Sequence, residues 1–182
     1  DSPVLVEPWI QGQEYTGGLL QGEALPLIRE SRQLRMQRFG GNHELVGNSD
    51  RRLGEILASL GEKDAARDAL QDAVRLTRAG YGEAHSHTRR AEVSLARFEA
   101  AQGDAAALQR LLGWADYDGR DIEQRKASWL ARAYATELDC PRRPEKARAQ
   151  LDAVLAQIQL SLPEGGALPR EVAQIRARCS RR

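Results

Sequence analysis

The sequence copies itself at a fixed offset. Phe39-Gly40-Gly41-Asn42-His43 returns 42 residues later as Tyr81-Gly82-Glu83-Ala84-His85, and Leu60-Gly61-Glu62 returns at the same offset as Gln102-Gly103-Asp104. Ala24 maps onto Ala66, and Ile28 onto Leu70, in that register. A period near forty narrows the fold sharply, because each unit of such an array can bury its apolar face only against its neighbours. Inside a period the apolar spacing is helical. Leu53, Ile56, Leu57 and Leu60 share one stripe, and Ala66, Ala69, Leu70, Ala73, Val74 and Leu76 share a second that ends near Gly80 and Gly82. Ala91, Leu95, Phe98, Ala100 and Ala101 continue the pattern up to Gly103, and a shorter helix follows through Leu108, Leu111 and Leu112. The repeated element is therefore a helix pair joined by a short glycine-containing turn.

Beyond the two clear copies, a third pair is expected over residues 122–138 and 144–160, with Pro144 at a helix start. Residues 113–121 are polar and aromatic and read as a loop. Pro163, Gly165 and Gly166 make a further break, and Pro169 opens a last helix towards Cys179. Three units result: an irregular N-terminal segment over 1–18, helical repeats over 19–160, and a C-terminal capping helix and tail over 161–182. Composition agrees with helices. Of the 182 residues, 41% are hydrophobic and 5% aromatic, and the apolar mass is mostly Ala and Leu rather than β-branched.

Charge excludes some classes. Twenty-seven basic residues against 26 acidic ones leave a formal net charge of +1, which argues against a general nucleic-acid binder. No apolar run reaches the ~18 residues that a membrane span needs. The chain starts at Asp1 rather than methionine, so an upstream segment is expected: a signal peptide, a lipid anchor or another domain.

With these residues in view, the pattern resembles the tetratricopeptide repeats, in the 42-residue variety found in kinesin light chains and many bacterial proteins. That family reads Gly-Asp-His-Pro-x-Thr, then a helix with Leu-Asn-Asn-Leu-Ala, a glycine turn and a second helix with spaced alanines. Here the matching stretches are Tyr81-Gly82-Glu83-Ala84-His85-Ser86-His87-Thr88, Val93-Ser94-Leu95-Ala96 and Gln102-Gly103, with His43, Leu53-Gly54 and Leu60-Gly61 in the unit before. Small residues at the helix crossings fall at Gly54, Ala66, Ala73, Ala96, Ala115, Ala135 and Ala147. The family proline is Glu44 in one unit and Ser86 in the other, the paired asparagines are Arg51-Arg52 and Val93-Ser94, and Leu108 replaces a usual alanine.

The resemblance implies an all-α, right-handed superhelical solenoid of antiparallel helix pairs with a C-terminal capping helix. It also implies a non-catalytic protein–protein interaction module: an adaptor, scaffold or sensor part of a larger bacterial system that binds a peptide or protein partner in its concave groove. Carrying the groove positions across gives Asn48, Arg51, Glu55, Arg90, Val93, Arg97, Trp129 and Arg132 as partner-binding residues. Four arginines and a tryptophan would favour an acidic partner, because arginine donates bidentately to carboxylates. The bland alternative pairs the arginines with Glu55 and Glu92 along the helices. Such repeats are also attached to bacterial serine/threonine kinases, so a kinase C-terminal region is an alternative, as is a small-ligand sensor with a pocket near the Trp114–Tyr117 loop for a cation or a sugar.

No catalytic pattern appears. Gly-x-Ser-x-Gly is missing, no cysteine neighbours a histidine, and Gly40-Gly41 and Gly165-Gly166 suit helix ends better than phosphate loops. Asp116, Asp118 and Asp121 lack the twelve-residue calcium pattern. His43 and His85 read as turn and capping residues, and His85-x-His87 alone does not make a closed metal site. No cofactor and no metal is expected. The two cysteines have a geometric reading. Helices 144–160 and 169–179, joined by a short loop, should run antiparallel, which returns Cys179 to the neighbourhood of Cys140. A Cys140–Cys179 bridge would staple the last helix to the repeats and indicate an oxidising compartment, best fitted by the periplasm. Two free thiols in the cytoplasm are the alternative.

Overall fold

The computed structural model describes residues 18–117, 122–162 and 166–180. All regular structure among them is helical: α1 (Gly18–Phe39), α2 (Glu44–Ser59), α3 (Lys63–Tyr81), α4 (Ser86–Ala101), α5 (Ala105–Ala115), α6 (Ile122–Asp139), α7 (Pro144–Ser161) and α8 (Ala167–Ser180). The irregular segment expected over 1–18 lies outside the described residues except for Gly18, which opens α1.

The 42-residue offset reaches down to single hydrogen bonds. The Nδ1 of His43 accepts from the Leu45 N–H at 3.2 Å, and the Nδ1 of His85 accepts from the His87 N–H at 3.2 Å. Each histidine thus satisfies one free donor at a helix N-terminus, a contribution of about 1 kcal/mol. The ring four residues earlier packs on each imidazole, Phe39 on His43 at 4.8 Å and Tyr81 on His85 at 4.4 Å between centroids. Gly40 and Gly82 have φ of 84° and 87°, and Gly61 and Gly103 have 83° and 95°. Those left-handed turns end the helices at equivalent places, where a side chain would be strained.

α5 differs from the sequence reading. Residues 113–115 were expected in a loop, yet the helix continues to Ala115. The cause is the buried stripe Ala107, Leu111 and Ala115 at i, i+4 spacing, which holds the helix down past the point where polar residues begin. Asp118 and Asp121 lie outside the described residues.

Each helix packs on the next. In addition α2 meets α4, α4 meets α6 and α6 meets α8, while among the described residues the odd-numbered helices do not touch one another. The even-numbered row is therefore the crowded side. Close approach of α2 and α3 depends on Gly54 and Gly47: a Cβ on Gly54 would lie 2.6 Å from the Leu70 Cγ, and one on Gly47 2.9 Å from the Leu76 Cβ. Leu57, Ala66, Leu70 and Phe98 form one apolar cluster. The largest cluster runs from α4 to α8 and includes Val93, Leu111, Trp129, Leu130, Tyr134, Leu151, Ile158, Val172 and Ile175. Each such large side chain stabilises by about 1.5–3 kcal/mol on burial. Cys140 and Cys179 belong to that cluster, stand at disulfide distance and have Cα atoms 5.5 Å apart. Among the described residues no helix is long and apolar enough to cross a membrane.

Candidate functional site

The even-numbered row carries a polar network that ties four helices together. On α2, Arg51 Nη1 donates to Glu55 Oε1 at 2.6 Å, and the Ser94 hydroxyl on α4 donates to the same oxygen at 2.7 Å. Arg90 on α4 donates to Glu171 on α8 at 2.6 Å, and the Tyr134 hydroxyl on α6 donates to the other Glu171 oxygen. Glu137 on α6 receives Arg97 at 2.8 Å and Arg178 at 2.7 Å. The Arg97 guanidinium also lies 4.1 Å from the Tyr134 ring centroid, a cation–π geometry.

Electrostatics follow from that crowding. Burial opposes the charge of Glu55, but Arg51, the Ser94 hydroxyl, Arg90 and Arg97 outweigh it and hold the carboxyl below its ordinary value of 4.5. Burial, reinforced by Glu171, pushes the Tyr134 phenol well above its ordinary 10.0. Partial desolvation by the neighbouring helices, with repulsion from Arg51 and Arg90 only partly offset by Glu55 and Glu171, lowers the guanidinium of Arg52, whose side chain still reaches solvent. Burial, His85, Arg51 and Arg90 together lower His87. Positive charge thus accumulates where α2 and α4 face each other.

A second feature lies across α4. A cleft of about 520 Å³ opens between α3 and α5, with α4 behind it, lined by residues that include Val74, Leu95, Arg89, Gly113, Trp114 and Tyr117. A smaller cleft of about 360 Å³ borders Tyr117, Trp129 and Arg132 with α7 residues Gln157 and Leu160. Among the described residues no group of three or more His, Cys, Asp or Glu side chains is placed to hold a metal ion.

No family model matches the chain. One short stretch is similar to a curated protein: 29 residues are 59% identical to D-alanine–D-alanine ligase from Idiomarina loihiensis. That stretch is 16% of this chain and 9% of the ligase, so the chain spans under a tenth of that relative. A match of this length bears on neither the fold nor the activity of the whole chain.

The residues expected to line a groove divide into three groups. Arg51, Glu55, Arg90 and Arg97 do share one face, but they are engaged with each other and with Ser94, Glu137 and Glu171. Glu92, offered as an arginine partner along α4, instead receives Arg78 of α3 at 2.5 Å. Asn48 donates to the Tyr81 hydroxyl at 3.1 Å, and Arg132 donates to the Ala115 carbonyl at 3.0 Å and to Gln157 at 3.3 Å. Val93 and Trp129 are corrections: at 0% and 6% exposure they are core residues. Their apolar character at buried helical spacing is the reason, and family register had assigned them outward.

Sequence reasoning missed Arg52, Tyr134, Glu137, Glu171 and Arg178. Glu171 lies 81 residues from Arg90, and Glu137 lies 40 and 41 residues from its two arginines. No local spacing could announce those pairs. Arg52 had a signal, since an arginine doublet stood where the family places its paired asparagines. Two clefts adjoin the Trp114–Tyr117 stretch, one between α3 and α5 and a smaller one bordered by Gln157 and Leu160 of α7.

Proposed function

We propose that this chain is a non-catalytic interaction module of the tetratricopeptide-like kind, part of a larger bacterial system, whose even-numbered helical row receives an acidic segment of a protein partner. Repetition supports the architecture: histidine caps, aromatic–histidine ring contacts and positive-φ glycines all recur 42 residues apart. Contact between even-numbered helices, without contact between odd-numbered ones among the described residues, supports stacked antiparallel pairs, which we read as a right-handed superhelix with the even row concave. α8 then extends that row as its capping helix.

One observation carries the choice of partner. In the network that joins these helices, Arg51, Arg52, Arg90, Arg97 and Arg178 stand against Glu55, Glu137 and Glu171, and the surplus centres on Arg52. Arg52 is solvent-accessible and has no ion pair among the described residues, and repulsion from Arg51 and Arg90 outweighs attraction from Glu55 and Glu171. An incoming carboxylate relieves that repulsion, and a basic segment worsens it. Because Val93 and Trp129 are buried, contact on this row is mainly polar and should weaken with salt. The cysteine pair supports an oxidising compartment, for which the periplasm fits best.

The test uses fluorescence anisotropy with a labelled peptide of alternating aspartate and leucine, and a lysine–leucine peptide as its counterpart. Wild type should bind the acidic peptide only. Arg52→Glu, an exposed substitution that leaves the buried pairs alone, should weaken it by about tenfold or more. Equal binding of both peptides, or unchanged binding by the variant, contradicts the reading.

A further inference from the structure

We infer a second binding site on the other side of α4, in the cleft between α3 and α5, for a carboxylate carried on an aromatic or apolar body. The group that calls for it is Arg89. Its side chain belongs to α4, lines the cleft and is only 8% exposed. Its Nε and Nη1 atoms are closed off from solvent and have no hydrogen-bond partner, and among the described residues the guanidinium has no ion pair. A buried cation without an acceptor is an expensive arrangement, since burial removes the water that would otherwise satisfy it. Two ring faces offset part of that: Tyr117 lies 5.0 Å and Trp114 5.7 Å from the guanidinium carbon.

Neighbouring charges do not supply the missing acceptor. Glu92, the carboxylate that lines this cleft, is taken by Arg78, and Arg110 is paired with Glu99. Among the described residues the site therefore keeps one unmatched positive charge. What surrounds it is apolar, from Val74, Leu95 and Ala96 to the two aromatic rings. About 520 Å³ falls in the range of roughly 300–1,000 Å³ usual for small-molecule sites. A planar guanidinium fork matches a carboxylate in particular, because both oxygens can accept at once. Nη2 is not among the guanidinium nitrogens that are buried without a partner. The cation or sugar expected beside this loop fits less well, because the unsatisfied group is itself a cation.

Gly113 gives an independent handle. It lies in α5 on the cleft wall, and a Cβ there would meet nothing within 4 Å. A large side chain at 113 can therefore fill the cleft without displacing the core or touching the charge.

Isothermal titration with phenylacetate and its neutral isostere phenylacetamide tests the site, alongside thermal melts. Wild type should bind phenylacetate saturably and the amide at least about tenfold more weakly. Arg89→Met should lose about tenfold or more of the phenylacetate affinity while its ligand-free Tm holds or rises, because an unpaired buried charge has been removed. Gly113→Phe should lose binding with Arg89 intact, and Arg52→Glu should leave it unchanged, which separates this site from the even-numbered row. Tighter binding of N-acetylphenylalanine than of phenylacetate identifies the occupant as a peptide chain end, and the reverse order identifies a free small acid. The inference is overturned by equal affinity for acid and amide, by unchanged binding in Arg89→Met, or by no phenylacetate binding up to ~20 mM.

Discussion

Joint replacement of Cys140 and Cys179 by alanine should lower stability by about 4 kcal/mol. The two residues are 39 apart in sequence, and closing a loop of that length removes conformational freedom from the unfolded chain worth about that much in the chain-entropy account. For a chain of this size the loss corresponds to a fall in Tm of roughly 8–16 °C. The effect should concentrate at the C-terminal end. α8 rests on the core through Leu168, Val172 and Ile175, and without the bridge its docking depends on those side chains and on the ion pairs of Glu171 and Arg178. Either single cysteine variant should melt with the double variant, since one sulfur alone restores nothing. A reductant should lower the wild-type Tm towards the same value and leave the variants unmoved. Thermal melts with and without reductant check this, and a wild-type Tm insensitive to reductant would contradict it.

Loss of Glu55 is the second large effect. Glu55→Ala leaves Arg51, only 7% exposed, without its carboxylate, and also removes the acceptor of the Ser94 hydroxyl. Breaking one half of a buried ion pair typically costs about 3–5 kcal/mol, because the remaining charge stays desolvated. Glu55→Gln keeps the shape and one acceptor and should cost less. The sign of the pH dependence follows from the depressed carboxyl. Glu55's contribution is complete above its ordinary value of 4.5 and is lost as pH falls through the lower folded value. Tyr134 acts at the opposite end: its phenol is raised, so its contribution is complete below 10.0 and is lost as pH rises towards the folded value. Urea midpoints measured across pH should therefore fall in acid for wild type and fall less steeply in Glu55→Gln. An identical acid limb in the two proteins would contradict the network.

Much of this was legible in the sequence because it is local. Leu53, Ile56, Leu57 and Leu60 announce α2 by spacing alone, and the recurrence of aromatic-Gly-x-x-His announces the capped turn before α2 and α4. Cys140 and Cys179 were brought together by counting helix lengths. The site was less legible. Family register placed Val93 and Trp129 outward, whereas their apolar side chains fill the core. The partners of Arg90 and Arg97 come from helices far along the chain, so their satisfaction was invisible to any spacing argument. Arg89 escaped notice for the opposite reason. Its distinction is the lack of an acceptor, a property of three-dimensional packing rather than of neighbouring residues.

Partner binding on the even-numbered row is best tested by hydrogen–deuterium exchange on the wild-type protein with and without the aspartate–leucine peptide. Slower exchange confined to α2 and the start of α4, around Arg52 and Arg90, is the expected result. Slower exchange at α3, α5 or α7 instead, or no change under conditions where the peptide is bound, would place the partner elsewhere and contradict the central claim.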